Sequence, residues 1–155
     1  MMKTQGTFLV PTIGVVDAMI ETQAELHKND PNVVEGRKWA ESLLQGIQVE
    51  VQTAKSLGVK IAAGLDAATP ELQGKNATEL AAMTKRGLSS LEAIQAATVN
   101  AAELLSWEDK VGALEAGHYA DVIAVDGDPL VDVTVLQHVK FVMKGGVVVK
   151  DVLSP

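Results

Sequence analysis

The sequence predicts an α/β chain in which two parallel strands carry helices and a small antiparallel part follows. Three observations predict it. Val59 to Ala63 is an apolar run bounded by Gly58 and Gly64, too short for an ordinary helix and suited to a buried parallel strand. Upstream, Trp39, Leu43, Ile47 and Val51 recur every four residues, with Leu44 and Ala54 beside them, the stripe of a helix lying against a sheet. Beyond residue 110 the chain turns to short alternating runs around Gly145-Gly146, a two-residue hairpin signal.

Composition bounds the function. The 155 residues suffice for one domain burying roughly two-thirds of its unfolded surface. Aromatics are only 3%, so the core must be built from Val, Ile, Leu, Ala and Met. Thirteen basic against twenty acidic residues leave a net charge of −7, which argues against nucleic-acid binding and against attraction to anionic membranes. The absence of cysteine removes disulfides and thiolate metal sites. No run reaches transmembrane length and the N-terminus lacks a signal-peptide pattern, so a soluble cytoplasmic protein is expected.

The elements follow in order. Met1 to Gln5 carries no cap and no periodicity. Thr7 to Ile13 reads as a first strand buried on both faces, with Pro11 marking its end because proline cannot donate to a ladder. Asp17 to His27 is helical, Lys28 to Pro31 breaks it, and a longer helix runs from Val33 to Leu57 with Gly58 as its C′ residue. Strand, helices, strand implies a right-handed crossover and parallel strands. After an irregular segment, Ala67 to Lys75, Asn76 with Glu79 is a capping arrangement for a helix to Arg86, closed by Gly87. Ser89 with Glu92 is a second capping box, opening Leu91 to Ala97. Asn100 to Leu105 follows, and Trp39 and Trp107 are core candidates. Ala120 to Val125 is a strand ending in the Asp126-Gly127-Asp128-Pro129 turn, and His138 to Lys144 and Val147 to Val152 flank the hairpin.

Asp66 is the residue with chemical promise. It stands just past the C-terminal end of the Val59 to Ala63 strand, the rim where α/β folds place chemistry because loops meet above rigid strands. A carboxylate there can hold a metal, act as a base or cap the next helix. A receiver-like domain with Asp66 as phosphoacceptor needs an earlier acidic pair and a later lysine at strand ends, which the sequence does not supply cleanly. His27, His118 and His138 form no H-x-H pair and lie at no strand end, so each is read as structural or superficial. Asp126 and Asp128 lack the further oxygen ligands and distal glutamate of a calcium loop. Lys144-Gly145-Gly146 lies between strands and is no phosphate loop, and Ser89, Ser90 and Ser106 sit in no nucleophile elbow.

Four stretches in the right order resemble the amidohydrolase superfamily of metal-dependent hydrolases. Val111 to Gly117, Ala120-Asp121, the strand Val122 to Val125, Asp126, Asp128-Pro129 and the Val142 to Gly146 hairpin resemble the C-terminal end of its members. Ser89 to Leu105 resembles the helix pair after the last barrel strand, and Gly58 to Ala67 resembles strand 8 with its functional aspartate. Gly6 to Thr12 resembles strand 7 of the branch that includes Xaa-Pro dipeptidases and imidazolonepropionases.

The resemblance implies an α/β fold made of the last strands and helices of a (β/α)8 barrel over residues 1–110, with the C-terminal strands of a small β-sandwich over 111–155. It implies hydrolysis of an amide or peptide C–N bond, in a dipeptide or N-acyl amino acid, by metal-activated water. It assigns Asp66 the double role of metal ligand and proton shuttle. Zinc or another divalent metal is the implied cofactor. Of the family's metal ligands only Asp66 has a counterpart in these residues, and Gly64-Leu65-Asp66 stands where the family has Gly-Thr-Asp. The chain alone is therefore expected not to retain a metal. A catalytically inactive fragment, or a partner-dependent fold that self-associates into a homo-oligomer through unpaired strand edges, is the alternative.

Overall fold

A computed structural model describes residues 1–26 and 31–152. Of the expected break at Lys28 to Pro31, residues 28–30 lie outside the described residues, as does His27, while Pro31 is the first residue of the second long helix. Its helices are α1 (Ile13–Leu26), α2 (Pro31–Ser56), α3 (Ala77–Lys85), α4 (Ser90–Ala97) and α5 (Val99–Leu104). The strands β1 (Val122–Ala124), β2 (Phe141–Lys144) and β3 (Val147–Asp151) follow.

The two predicted parallel segments do meet in parallel, through a bridge between Leu9 and Ile61. The Leu9 N–H donates to the Lys60 carbonyl and the Ala62 N–H donates to the Leu9 carbonyl, both at 2.9 Å. The first segment is shorter than Thr7 to Ile13, however. Thr12 turns into the left-handed region at φ +46°, and Ile13 is already the first residue of α1. Pro11 offers no ladder donor, and the Ile13 N–H is taken by the Glu79 side chain at 3.0 Å. Nor is the segment buried on both faces, since Val10 is 40% exposed. The second segment is deeper: Val59, Ile61 and Ala62 are all buried.

Its other edge is partly closed from within the chain. The Ala63 N–H donates to the Ala96 carbonyl and Asn100 Nδ2 donates to the Ile61 carbonyl, each at 2.9 Å. Backbone groups that an adjoining strand would take are thus taken by α4 and the start of α5.

The helix α2 is long, as the sequence indicates, and of its predicted stripe Ile47 and Val51, with Leu44 and Ala54 beside them, face the core, while Trp39 and Leu43 do not. Ala40, Leu44, Val51 and Ala54 are buried, with Ile47 between them packed against the core. Trp39 is 62% exposed and Leu43 is exposed beside it. A strict four-residue repeat turns about 40° per step around a helix, so the row that starts in solvent at Trp39 reaches the core at Ile47 and Val51. Gly58 ends the helix as expected, at φ +66°. The Gly58 N–H donates to the Lys55 carbonyl at 3.0 Å and the Val59 N–H to the Ala54 carbonyl at 2.9 Å, a Schellman pair.

The two predicted capping boxes separate. Asn76 is itself helical and makes no side-chain cap, while Glu79 is buried and points to α1 instead. Ser89 and Glu92 form a complete reciprocal box. Lys55 Nζ donates to Glu92 Oε2 at 2.7 Å, tying the end of α2 to the start of α4. Trp107 is no core anchor, being 57% exposed. Its backbone N–H donates to the Ala102 carbonyl at 2.9 Å, closing α5 behind Ser106 at φ +56°.

The strands form an antiparallel sheet in the order β1-β2-β3. Val122 faces Met143, and Lys144 faces Val147 across Gly145-Gly146. Both glycines have positive φ, +56° and +82°, the backbone a tight primed hairpin turn requires. The Gly145 N–H donates to Asp121 Oδ1 at 2.7 Å, and Lys144 pairs with the same carboxylate. A 3-10 turn at Val133–Gln137, unpredicted, sends Val133 into the core. Asp128 is the turn residue the sequence suggests, its Oδ1 accepting the Leu130 N–H at 2.8 Å. Among the described residues no helix is long and apolar enough to cross a membrane.

Candidate active site

Asp66 lies beyond the bridged segment, exposed, in the left-handed region at φ +52°. An L-residue there costs of order 1 kcal/mol. Ala68 donates its N–H back to the Asp66 carbonyl at 2.7 Å, folding the chain tightly around this position. Thr12, beyond the other bridged segment, shares the conformation. Gly64 lets the segments lie close, since a Cβ there would sit 2.7 Å from Val10 Cγ1. Both segments therefore end in sharp turns on strained, non-glycine residues, the kind of backbone found at functional rims.

Beside Asp66 in sequence, Gly64 and Leu65 line a mostly apolar cleft of about 620 Å³, closed by Leu80, Ile94, Thr98 and Glu79. Asp66 is not one of its lining residues.

Glu79 is a charged residue buried in the core, with 1% of its surface exposed. Its carboxylate accepts the N–H groups of Ile13 at 3.0 Å and Gly14 at 2.5 Å. This is an anion seated on the first turn of α1, where two otherwise orphaned donors and the helix dipole favour negative charge. Burial pushes its carboxyl above the usual carboxylate range, and the two N–H groups only partly offset that. Sequence reasoning assigned Glu79 to its own helix. The missed signal was its place in α3: Ala82 and Met83, three and four residues on, are the buried face of that helix, so Glu79 shares an apolar stripe. Next to it, Asp17 on α1 pairs with Arg86 at 2.7 Å, a second charged link between α1 and the end of α3.

The histidines do not join Asp66. His118 lies in the turn before β1, its Nδ1 donating to the Ala113 carbonyl at 3.2 Å, and His138 is exposed after the 3-10 turn. Among the described residues no three His, Cys, Asp or Glu side chains are placed to hold a metal ion. A catalytic zinc normally takes three protein ligands, so the described donors do not by themselves fit one.

The amidohydrolase family model matches residues 1–149, and the chain belongs to that family. The ochratoxinase of Aspergillus niger is 35% identical over 153 residues, which is 94% of this chain and 30% of the relative. An imidazolonepropionase from Rubrobacter xylanophilus is 51% identical over 45 residues, 29% of this chain and 11% of its own length. Among solved structures, a Xaa-Pro dipeptidase with methionine bound in its active site superposes with a TM-score of 0.79 at 38% identity, covering 96% of this chain and 36% of the dipeptidase. A prolidase complexed with N-methylphosphonate-L-proline gives 0.80 at 29% identity, over 97% of this chain and 36% of its own. The chain thus spans about a third of the length of the relatives it matches, and the resemblance read from the sequence names the right branch.

Proposed function

We propose that this chain serves hydrolysis of an amide-type C–N bond, in a dipeptide or N-acyl amino acid, with Asp66 as its catalytic carboxylate. Asp66 would take a proton from the attacking water and deliver it to the leaving amine. The observation that carries the reading is its placement: an exposed carboxylate in a left-handed turn just past the end of a buried parallel segment. The family, and relatives named Xaa-Pro dipeptidase and prolidase, support the bond type and a dipeptide substrate. In this reading residues 1–110 are the end of a (β/α)8 barrel and 111–155 the C-terminal strands of a small β-sandwich.

The family generally uses divalent metals, and zinc is our proposal for the ion. The described residues do not fit it unaided, so the reading includes the expectation that residues 1–155 alone neither keep a metal nor turn over substrate. That donor shortfall favours the second reading, an inactive or partner-dependent fold, for the isolated chain.

A chimera separates the two. Residues 1–155 replace the matching segment of the Xaa-Pro dipeptidase, and the product is assayed on Xaa-Pro dipeptides and N-acyl amino acids. Turnover that falls at least about 100-fold in Asp66→Asn, with an unchanged thermal transition, supports Asp66 as proton carrier. Undiminished turnover in Asp66→Asn overturns that role, and a folded chimera inactive on every substrate favours the inactive reading.

A further inference from the structure

Two residues at the rim sit in the left-handed region, Thr12 at φ +46° and Asp66 at φ +52°. Threonine, being β-branched, fits that region poorly. Such conformations persist only where their surroundings over-determine them, so both turns need a restraint from elsewhere in the fold.

Glu79 is placed to supply one to each. From α3 it reaches the start of α1 and accepts the N–H groups of Ile13 and Gly14, the two residues that follow Thr12. The turn at Thr12 cannot relax toward an extended strand without giving up both bonds. Glutamate suits the task because its two oxygens serve two donors, whereas glutamine offers one acceptor and sets its NH2 against the other N–H. The second turn is reached through Gly14. The place that a Cβ would take on Gly14 is crowded by Leu65 Cδ1 and Glu79 Oε2 together, so leucine and carboxylate are seated against one spot of α1. Leu65 is buried and directly precedes Asp66. The other charged link between α1 and the end of α3, Asp17 with Arg86, lies one turn further along α1.

We propose that Glu79 is the positioning residue of Asp66, a proposal that rests on Asp66 as the catalytic carboxylate. By gripping Ile13 and Gly14, Glu79 holds the Thr12 turn and the seat of Leu65, and so sets the course of the Asp66 turn. It acts through the backbone and not on the substrate.

In the purified chain, Thr12 and Asp66 should both show the strong intraresidue HN–Hα NOE of a positive φ. Glu79→Gln should weaken it at both, and Arg86→Met at neither. In the Xaa-Pro dipeptidase chimera, assayed where each variant is folded, Glu79→Gln should lower kcat at least about tenfold, as misplacing a reacting group does. KM should stay nearly unchanged. Arg86→Met should keep kcat, although it too loosens α1 from α3. Should Glu79→Gln fail to fold, Gly14→Ala decides, since its Cβ displaces Leu65 with Glu79 intact, and it should show the same losses. A positive φ retained at Asp66 in the deciding variant overturns the proposal, as does an unchanged kcat or a loss that Arg86→Met reproduces. Undiminished turnover in the Asp66→Asn chimera overturns the catalytic reading and the proposal with it, whereas an unchanged NOE overturns the proposal alone.

Discussion

Gly14 and Glu79 stand 65 residues apart in the chain and 2.5 Å apart in the fold, the backbone N–H of one donating to the carboxylate of the other. The contact depends on what Gly14 lacks. A Cβ there would lie 2.6 Å from Leu65 Cδ1 and 3.0 Å from Glu79 Oε2. One glycine thus admits both the carboxylate that caps α1 and the leucine leading into Asp66.

Two helical glycines should respond oppositely to alanine. Gly46→Ala should raise stability by about 0.5–1 kcal/mol through helix propensity, because its surroundings are open. Gly14→Ala should instead cost about 1–3 kcal/mol, the overpacking of a filled site outweighing the same propensity gain. Denaturant titration at low protein concentration measures both, and equal signs would refute the account of Gly14.

Glu79→Ala should be the most damaging single truncation among these, costing about 2–4 kcal/mol, because it leaves two buried N–H groups without their acceptor and opens a cavity. Its pH behaviour has a definite direction. Burial raises the Glu79 carboxyl above its ordinary 4.5, the Gly14 and Ile13 N–H groups oppose the rise, and the Asp17 charge adds to it. The folded state therefore binds this proton more tightly than the unfolded state does. Glu79's contribution is fullest below the unfolded value and declines as pH rises from there through the folded one. Subtracting the stability profile of Glu79→Gln from that of the native chain isolates this group. The difference should move against the native chain as pH climbs above about 4.5, and a rise in its favour would contradict the burial argument.

The Ser89 box has the opposite pH sense. Lys55, then the Ser89 backbone N–H, hold the Glu92 carboxyl below its ordinary 4.5. Its contribution is present above the unfolded value and is lost as pH falls through the folded one. Ser89→Ala should cost about 1 kcal/mol, read as a drop of several degrees in melting temperature. Lys55→Met should cost less, the pair being partly exposed, and should reduce the acid-side loss. An unchanged acid limb in Lys55→Met would remove Lys55 from the account.

Dialysed protein should carry far less than one zinc per chain, since the described residues place no three metal ligands together. Elemental analysis decides it. Stoichiometric zinc, lost in Asp66→Asn, would mean that the donors assemble from residues kept apart here.

What could be read from the sequence was local. The Ser89–Glu92 box spans four residues, the Gly58 cap a single turn, and the Gly145-Gly146 hairpin two positions. In each, the residues that set the conformation are also the ones that satisfy it, so neighbouring side chains are enough to specify the backbone. The family was legible from four stretches of residues in the right order, and the parallel meeting of the Leu9 and Ile61 segments because strand, crossover helices and strand allow few arrangements. The rim position of Asp66 follows from that same order, but its left-handed turn is visible only in the structure. The tertiary structure alone decided that Ala40 is buried on α2 while Trp39 and Leu43 stay exposed, because a four-residue repeat drifts around the helix and only packing shows which part of it meets the core. It also decided that Ile13 begins a helix and that Glu79 caps it. That choice rests on a hydrogen bond across 65 residues, and a buried carboxylate goes to whichever orphan N–H groups the fold brings near, a matter that no window of sequence around Glu79 contains.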